Sequence, residues 1–197
     1  MKEGFTINKK KKALKLSQIY AYDKIENCYL VQISLDSYDE IFNTWDAAPV
    51  KRRDLATDLL DFLEQVAYDI PMSENVKFVF QLPKELKNEK KETLAKEGIY
   101  HNFRMINHFI SKELSKNNRK IVTYLFLGIA FLSISYLFQT GLDLKFPFSI
   151  LVDGFFIGGW VMFWEAFSLF FFSGIEHVNR RSRFTRYSNS KIEFKYE

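Results

Sequence analysis

An uncharged run of 19 residues, 121–139 (IVTYLFLGIAFLSISYLFQ), constrains this chain of 197 residues more than any other feature. At about 1.5 Å per residue, a helix of this length spans the roughly 30 Å hydrocarbon core of a bilayer. A second apolar stretch, 148–173, contains only two acids, and the helix-breaking residues Gly141 and Pro147 lie in the short segment 140–147 between the two. The pattern predicts two transmembrane helices joined by a short external loop.

The charged side chains are distributed very unevenly along the chain. Residues 1–120 carry 39 of the 52 charges, whereas residues 121–179 carry five. The mean hydropathy of −0.17 is therefore an average over two unlike parts. A hairpin buried inside a soluble protein is the alternative, but no other segment is apolar enough to cover two such helices. We expect a cytoplasmic domain over 1–120, a transmembrane hairpin over 121–175 and a basic cytoplasmic tail over 176–197.

Basic residues flank both predicted spans on the same side. The external loop has only Lys145, which lies beside Asp143. By the positive-inside rule, both termini should face the cytoplasm and the loop should face outward. The lipid bilayer is thus the first predicted partner. The residues expected to set the topology and contact lipid are Lys116, Arg119, Lys120, Arg180, Arg181 and Arg183.

The second span carries small and acidic side chains on one helix face. At 100° per residue, four of them lie within about 40° of one line: Gly154, Gly158, Glu165 and Ser168. Small residues allow close helix approach, and an intramembrane acid needs a partner or water. One interpretation is therefore a homo-oligomer interface with Glu165 turned inward. The alternative is packing against Leu125, Gly128 and Ser135 of the first span, with Glu165 extending to the inner boundary. Asp153 is expected to cap the helix or reach lipid headgroups.

The polar part of the chain predicts an α+β domain with three to four short strands plus helices. Period-two alternation indicates strands, and a 3.6-residue period indicates helices. A helix over 84–120, interrupted near Gly98, should lead directly into the membrane. The other elements expected are strands over 13–25 and 28–35 paired as a hairpin, a short helix opened by a Ser37–Glu40 capping box, a helix over 54–70, a strand over 76–82, and a final strand over 191–197 that rejoins the sheet.

The sequence contains no recognisable catalytic or metal motif, so we expect neither an enzyme nor a bound cofactor. His101 and His108 share a helix face but have no Cys or acid at ligand spacing, and Cys28 is the only cysteine. The Lys9–Lys12 run could contact RNA, DNA or anionic lipid, with lipid the nearest candidate, but a merely solvated charged segment is the favoured interpretation. Because residues 1–120 have a net charge of only +3, direct nucleic-acid binding is not expected.

Two segments resemble the small two-transmembrane proteins of bacterial antiphage defence operons, including the membrane effectors paired with retrons. These are Trp45-Asp46 to Pro71 (WDAAPVKRRDLATDLLDFLEQVAYDIP) and Gly158 to Glu165 (GGWVMFWE). The resemblance covers most of the chain and carries no catalytic residues. It implies an inner-membrane effector that a protein or ribonucleoprotein regulator holds silent. Once released, such a protein oligomerises and permeabilises the membrane.

Two other functions remain open from the sequence. The chain could be a passive two-span anchor or scaffold that recruits a cytosolic partner through its sheet domain. It could also be an accessory subunit of a transporter, in which Asp153 or Glu165 contributes to an ion path. These alternatives differ in whether the acidic residues of the second span have a role beyond packing.

Overall fold

A computed structural model of the chain describes residues 16–141 and 148–197. The Lys9–Lys12 run, the start of the first predicted strand and the predicted external loop lie outside the described residues. The chain divides into two compact units, Met1–Asn107 with Ser182–Glu197, and His108–Arg181. The elements are β1 (Ala21–Asp23), β2 (Cys28–Ser34), α1 (Thr57–Asp69), β3 (Asn75–Leu82), α2 (Glu89–Gly141), α3 (Phe148–Ser168), a π-helical segment (Leu169–Gly174), α4 (Ile175–Ser188) and β4 (Lys191–Tyr196).

The described strands form one sheet in the order β1-β2-β3-β4. Strand β1 pairs antiparallel with β2, and the turn between them is stabilised by the Asp23 carboxylate, which accepts hydrogen bonds from the Ile25 and Glu26 N–H groups. Strands β2, β3 and β4 are parallel, with Val31 opposite Phe78 and Phe78 opposite Ile192. The predicted hairpin and the predicted final strand are therefore both present, although β1 begins only at Ala21.

The core of the sheet-containing unit is an aromatic cluster of Phe78, Phe103, Phe184 and Tyr187. Each of these side chains is less than 2% exposed. The rings of Phe78 and Tyr187 meet edge to face at 4.9 Å between centroids. The Tyr187 hydroxyl donates to the Leu63 carbonyl oxygen at 2.8 Å, so the buried phenol is satisfied. Since Phe184 and Tyr187 come from the C-terminal segment, that segment is a structural part of the domain.

The predicted interruption at Gly98 is wrong, because α2 is one continuous helix. Gly98 has a different role. A Cβ atom at this position would lie 2.7 Å from the Val50 carbonyl oxygen and 2.8 Å from the Phe42 ring. The glycine therefore permits the connection between β2 and α1 to pack directly on the helix backbone.

The capping box predicted at Ser37 is also wrong in its geometry. The segment forms a short 3-10 helix, Tyr38–Ile41, and Ser37 makes no side-chain capping bond among the described residues. The Glu40 carboxylate instead accepts from the Asp36 N–H at 3.1 Å. The next helix, α1, begins at Thr57 rather than at the predicted residue 54, because Leu55 forms an isolated β-bridge with Phe42.

Two helices of the described chain are long and apolar enough to cross a membrane. They are the helix that ends at Thr140 and the continuous helical stretch Ser149–Ser188. Only 11% of each apolar window is buried within the structure. Large apolar side chains such as Phe126, Trp164 and Phe172 are therefore exposed over the length of both helices.

Candidate functional site

The candidate site is the surface of the two apolar helices, and its geometry is set by where they contact each other. In α3 the buried residues are Val152, Gly159 and Ala166, spaced by seven. A Cβ atom at Gly159 would lie 2.7 Å from Leu132 and 3.1 Å from the carbonyl oxygen of Gly128. The two helix backbones thus cross at this glycine pair, as small-residue interfaces in membranes do.

Two buried polar side chains connect the same helices. The Ser135 hydroxyl donates to the Val152 carbonyl oxygen at 3.1 Å, and the Asn117 amide donates to the Leu169 carbonyl oxygen at 3.2 Å. Together with the contact between Gly128 and Gly159, these bonds define an antiparallel register. In this register, residues later in α2 lie level with residues earlier in the second helix. The register can therefore be used to compare the depths of side chains on the two helices.

The bond from Asn117 falls where the second helix changes its winding. Residues Leu169–Gly174 are π-helical, and the carbonyl oxygen of Leu169 is the first in that segment. The Asn117 amide therefore adds a side-chain bond at the point where the backbone hydrogen-bond pattern departs from that of an α-helix. A Cβ atom at Gly174 would be 3.4 Å from the same oxygen, in ordinary van der Waals contact. Local π-turns of this kind are frequently found at functional sites.

The structure separates the residues that were predicted to share one interface. Gly158 approaches the Phe131 ring, where a Cβ atom would be 3.0 Å away, and Ser168 is half-buried. Gly154 is exposed, and a Cβ atom there would meet no atom of the described residues within 4 Å. Glu165 is exposed as well. Gly154 and Glu165 therefore lie outside the contact between the two helices.

The register places the two acids at different depths. Glu165 lies level with residues 121–122, about one turn from Arg119 and Lys120. Asp153 lies level with residues 133–134, about 8–9 Å from the level of Gln139 at the other end of the uncharged run. Both side chains are exposed on the apolar surface. Glu165 is thus close to the polar boundary, whereas Asp153 is surrounded by apolar helix surface.

The predicted basic residues fall into two groups. Lys116, Arg119, Lys120, Arg180 and Arg181 belong to the unit of the apolar helices, and all but Arg180 are exposed. Arg183, the remaining residue of that prediction, lies in the sheet-containing unit.

The guanidinium carbon of Arg183 lies 3.6 Å from the centre of the Tyr68 ring. Arg186 belongs to the same basic run after the second span, from which the topology was predicted, and its Nη1 donates to the carbonyl oxygens of Ile70 and Pro71 at 3.1 and 2.8 Å. Burial lowers the pKa of the Arg186 guanidinium. Both side chains hold the C-terminal segment against the end of α1.

A second feature, in the sheet-containing unit, is an exposed tryptophan beside a groove. The Trp45 side chain is 94% exposed, and the groove next to it has a volume of about 610 Å³ with Glu40 and Asp58 in its lining. The loop is held by Asp46, whose carboxylate accepts from the N–H groups of Ala48 and Asp54 at 2.8 and 2.9 Å. These two bonds lower the pKa of the Asp46 carboxyl.

Within the described part of the chain, no group of three or more His, Cys, Asp and Glu side chains could hold a metal ion. His177 has one acidic neighbour, Glu113, at 3.6 Å. Cys28 is buried, and burial raises the pKa of its thiol. No protein-family description, curated protein or solved structure matches the chain.

Proposed function

We propose that this is a two-pass protein of the bacterial inner membrane, with its sheet domain and both termini in the cytoplasm. The observation that supports the membrane placement is the exposure of the apolar helices, because a core helix of a soluble protein is mostly buried and these windows are 11% buried. Basic residues at one end of both helices support the orientation. The short loop 140–147 then lies outside.

We further propose that the protein self-associates through the outward face of α3. The observation that supports this proposal is that the neighbouring residues Asp153 and Gly154 are both exposed, away from the contact between α3 and α2. An acid facing lipid costs about 2.5–3.5 kcal/mol at the centre of a bilayer and less nearer its edge. Asp153 lies about 8–9 Å from the level of Gln139, which is farther than its short side chain reaches. A second copy that packs on Gly154 would shield the carboxylate and allow it to bind water or a partner group.

In this proposal, assembled copies perturb the membrane, and the cytoplasmic domain binds a regulator that controls assembly. The resemblance to antiphage-defence effectors supplies the biological setting. The regulator would be a protein or a ribonucleoprotein, and the exposed Trp45 with its adjacent groove offers a surface for it. Exposed tryptophans are frequent anchors of protein interfaces.

Cysteine crosslinking in native membranes tests the self-association. The variant Gly154→Cys, made in a Cys28→Ser background, is expected to form disulfide-linked dimers on oxidation. A matched control is Ile129→Cys in the same background, since Ile129 is also exposed but lies on the other helix. Efficient crosslinking of the Ile129→Cys variant and none of the Gly154→Cys variant would contradict the proposed face.

The membrane-perturbing activity is tested by following the membrane potential of cells that express the chain. Wild type should depolarise the cells, and Gly154→Leu should not, because the added side chain blocks the outward face without touching α2. Gly159→Leu is the folding control, since it must disrupt the helix pair. Equal behaviour of wild type and Gly154→Leu would refute the role of this face.

A passive anchor is the second candidate, favoured by the same exposed Trp45 surface. In that case the hairpin only holds the domain at the membrane. Replacing residues 121–175 with an unrelated two-span hairpin would then preserve function, and Asp153→Asn would be silent. The effector hypothesis predicts loss of activity in both experiments.

A further inference from the structure

A long open groove lies between the two apolar helices at the end where the basic residues are found. Its volume is about 1010 Å³, at the upper end of the roughly 300–1,000 Å³ typical of small-molecule sites. Residues 111–123 of α2 form one wall, and residues 170–181 of the second helix form the other. The lining combines apolar side chains, such as Ile121, Val122 and Phe170, with polar ones, such as Asn118 and Arg119.

Polar and apolar lining residues adjoin near the start of the uncharged run, and Leu114, Ile175 and Val178 add apolar lining on the cytoplasmic side. Arg119 lies two residues before the uncharged run, and Ile121 and Val122 are the first residues of that run. In the proposed membrane placement, Arg119 therefore lies at headgroup level and the apolar part lies at the edge of the hydrocarbon core. A charged group followed within a few ångströms by an apolar wall matches the structure of a phospholipid.

We propose that this groove binds one anionic phospholipid of the cytoplasmic leaflet. The lipid phosphate would contact Arg119 and Asn118, and one acyl chain would lie along Ile121 and Val122. Basic pockets between transmembrane helices on the cytoplasmic side are suited to anionic headgroups, because the guanidinium can form charge-assisted hydrogen bonds with phosphate oxygens. Arg181, at the cytoplasmic end of the groove, adds positive potential. The inference rests on the proposed membrane placement but not on self-association.

The apolar lining distinguishes a lipid from a free phosphate. A soluble anion would use only the polar end, whereas a lipid gains from burying its chain against the apolar wall. The groove should therefore prefer an intact anionic lipid over inorganic phosphate and over a zwitterionic lipid with the same acyl chains.

The test is native mass spectrometry of the full chain in detergent with added lipid. We expect phosphatidylglycerol to bind at one site at least tenfold more tightly than phosphatidylcholine of the same chain composition. A hundredfold excess of inorganic phosphate should leave the bound lipid in place. Equal binding of the two lipids, or displacement by phosphate, would overturn the proposal.

Three variants locate the site. Arg119→Gln removes the phosphate contact and should weaken phosphatidylglycerol binding about tenfold or more, as expected for a hydrogen bond to a charged group. Ser115→Trp fills the groove without changing charge and should also abolish binding, since Ser115 lines the groove. Lys120→Gln is the matched control, because it removes an adjacent exposed charge outside the lining and should cost at most about fivefold.

The outcomes separate this proposal from the membrane placement. If Lys120→Gln weakens binding as much as Arg119→Gln, the attraction is general surface electrostatics and the groove is not a site. If the wild-type chain stays in the membrane fraction after alkaline extraction but shows no anionic preference, the lipid site fails and the hairpin stands. If the chain is recovered as a soluble protein, both fail.

Discussion

The substitution Gly98→Ala tests whether helix propensity or steric overlap has the larger effect on the free energy of unfolding at this position. In an ordinary helix interior, replacing glycine by alanine stabilises by about 1 kcal/mol. At Gly98 the new Cβ would lie 2.7 Å from the Val50 carbonyl oxygen and 2.8 Å from two atoms of the Phe42 ring. The oxygen belongs to the backbone and cannot rotate away, so the overpacking cost should lie in the upper part of the usual range of about 1–3 kcal/mol.

We therefore expect Gly98→Ala to destabilise the sheet-containing unit by about 1–2 kcal/mol and to lower its Tm by about 4–8 °C. Thermal unfolding of the full chain in detergent, followed by near-ultraviolet circular dichroism, measures the change. Gly154→Ala is the matched control, since its Cβ meets no described atom and the same transition should be unchanged. A rise in Tm for Gly98→Ala would refute the steric argument and show that propensity dominates at this position.

Two further predictions concern the cytoplasmic domain. Tyr187→Phe keeps the buried ring but removes the hydrogen bond to the Leu63 carbonyl oxygen, so it should cost about 0.5–1.5 kcal/mol in denaturant unfolding, and an unchanged midpoint would contradict the assignment. The lowered pKa of Asp46 means that its bonds stabilise the loop fully above the ordinary carboxyl pKa of about 3.9 and are lost as the pH falls through the lowered value. In Asp46→Ala the amide protons of Ala48 and Asp54 should lose protection from exchange at neutral pH, which amide exchange by NMR would detect; unaltered protection would rule out the two bonds.

The elements of this fold were predictable where one strong pattern set them. Strand β2, strand β3 and the two apolar helices follow from alternation and from the absence of charge, and the structure has all four. The start of α1 was not predictable from local pattern, because it depends on the bridge between Phe42 and Leu55, which are separated along the chain. Local propensity does not contain such a contact.

The helix pair shows that a small-residue motif alone does not identify which face of α3 packs against α2. Neighbouring helix positions differ by 100°, so Gly158 and Gly159 lie on different sides of α3. The Gly154–Gly158 pair suggested one interface, whereas the close backbone contact is made by Gly159 with Gly128. The relevant signal was the seven-residue spacing of Val152, Gly159 and Ala166, matched by Gly128 and Ser135 on the partner helix.

The C-terminal basic run illustrates a second difficulty, because one residue type serves two purposes there. Arg180 and Arg181 belong to the unit of the apolar helices, while Arg183 and Arg186 bind the end of α1 through an aromatic ring and two carbonyl oxygens. A charge count treats all four as topology signals. Only the periodicity of Phe184 and Tyr187, both buried, indicates that the helix has entered the domain core by this point.

Asp153 and Glu165 differ in their distance from the ends of the apolar helix surface, and this distance determines which of them would gain more from the proposed assembly. Glu165, by sequence the more conspicuous, lies about one turn from Arg119, so a glutamate side chain can extend to the boundary and needs no second copy. Asp153 is shorter and lies further from a boundary, next to the open surface at Gly154. In the proposed assembly, the Asp153–Gly154 pair is therefore the part of α3 that gains most from a second copy, and Asp153→Asn should weaken assembly more than Glu165→Gln.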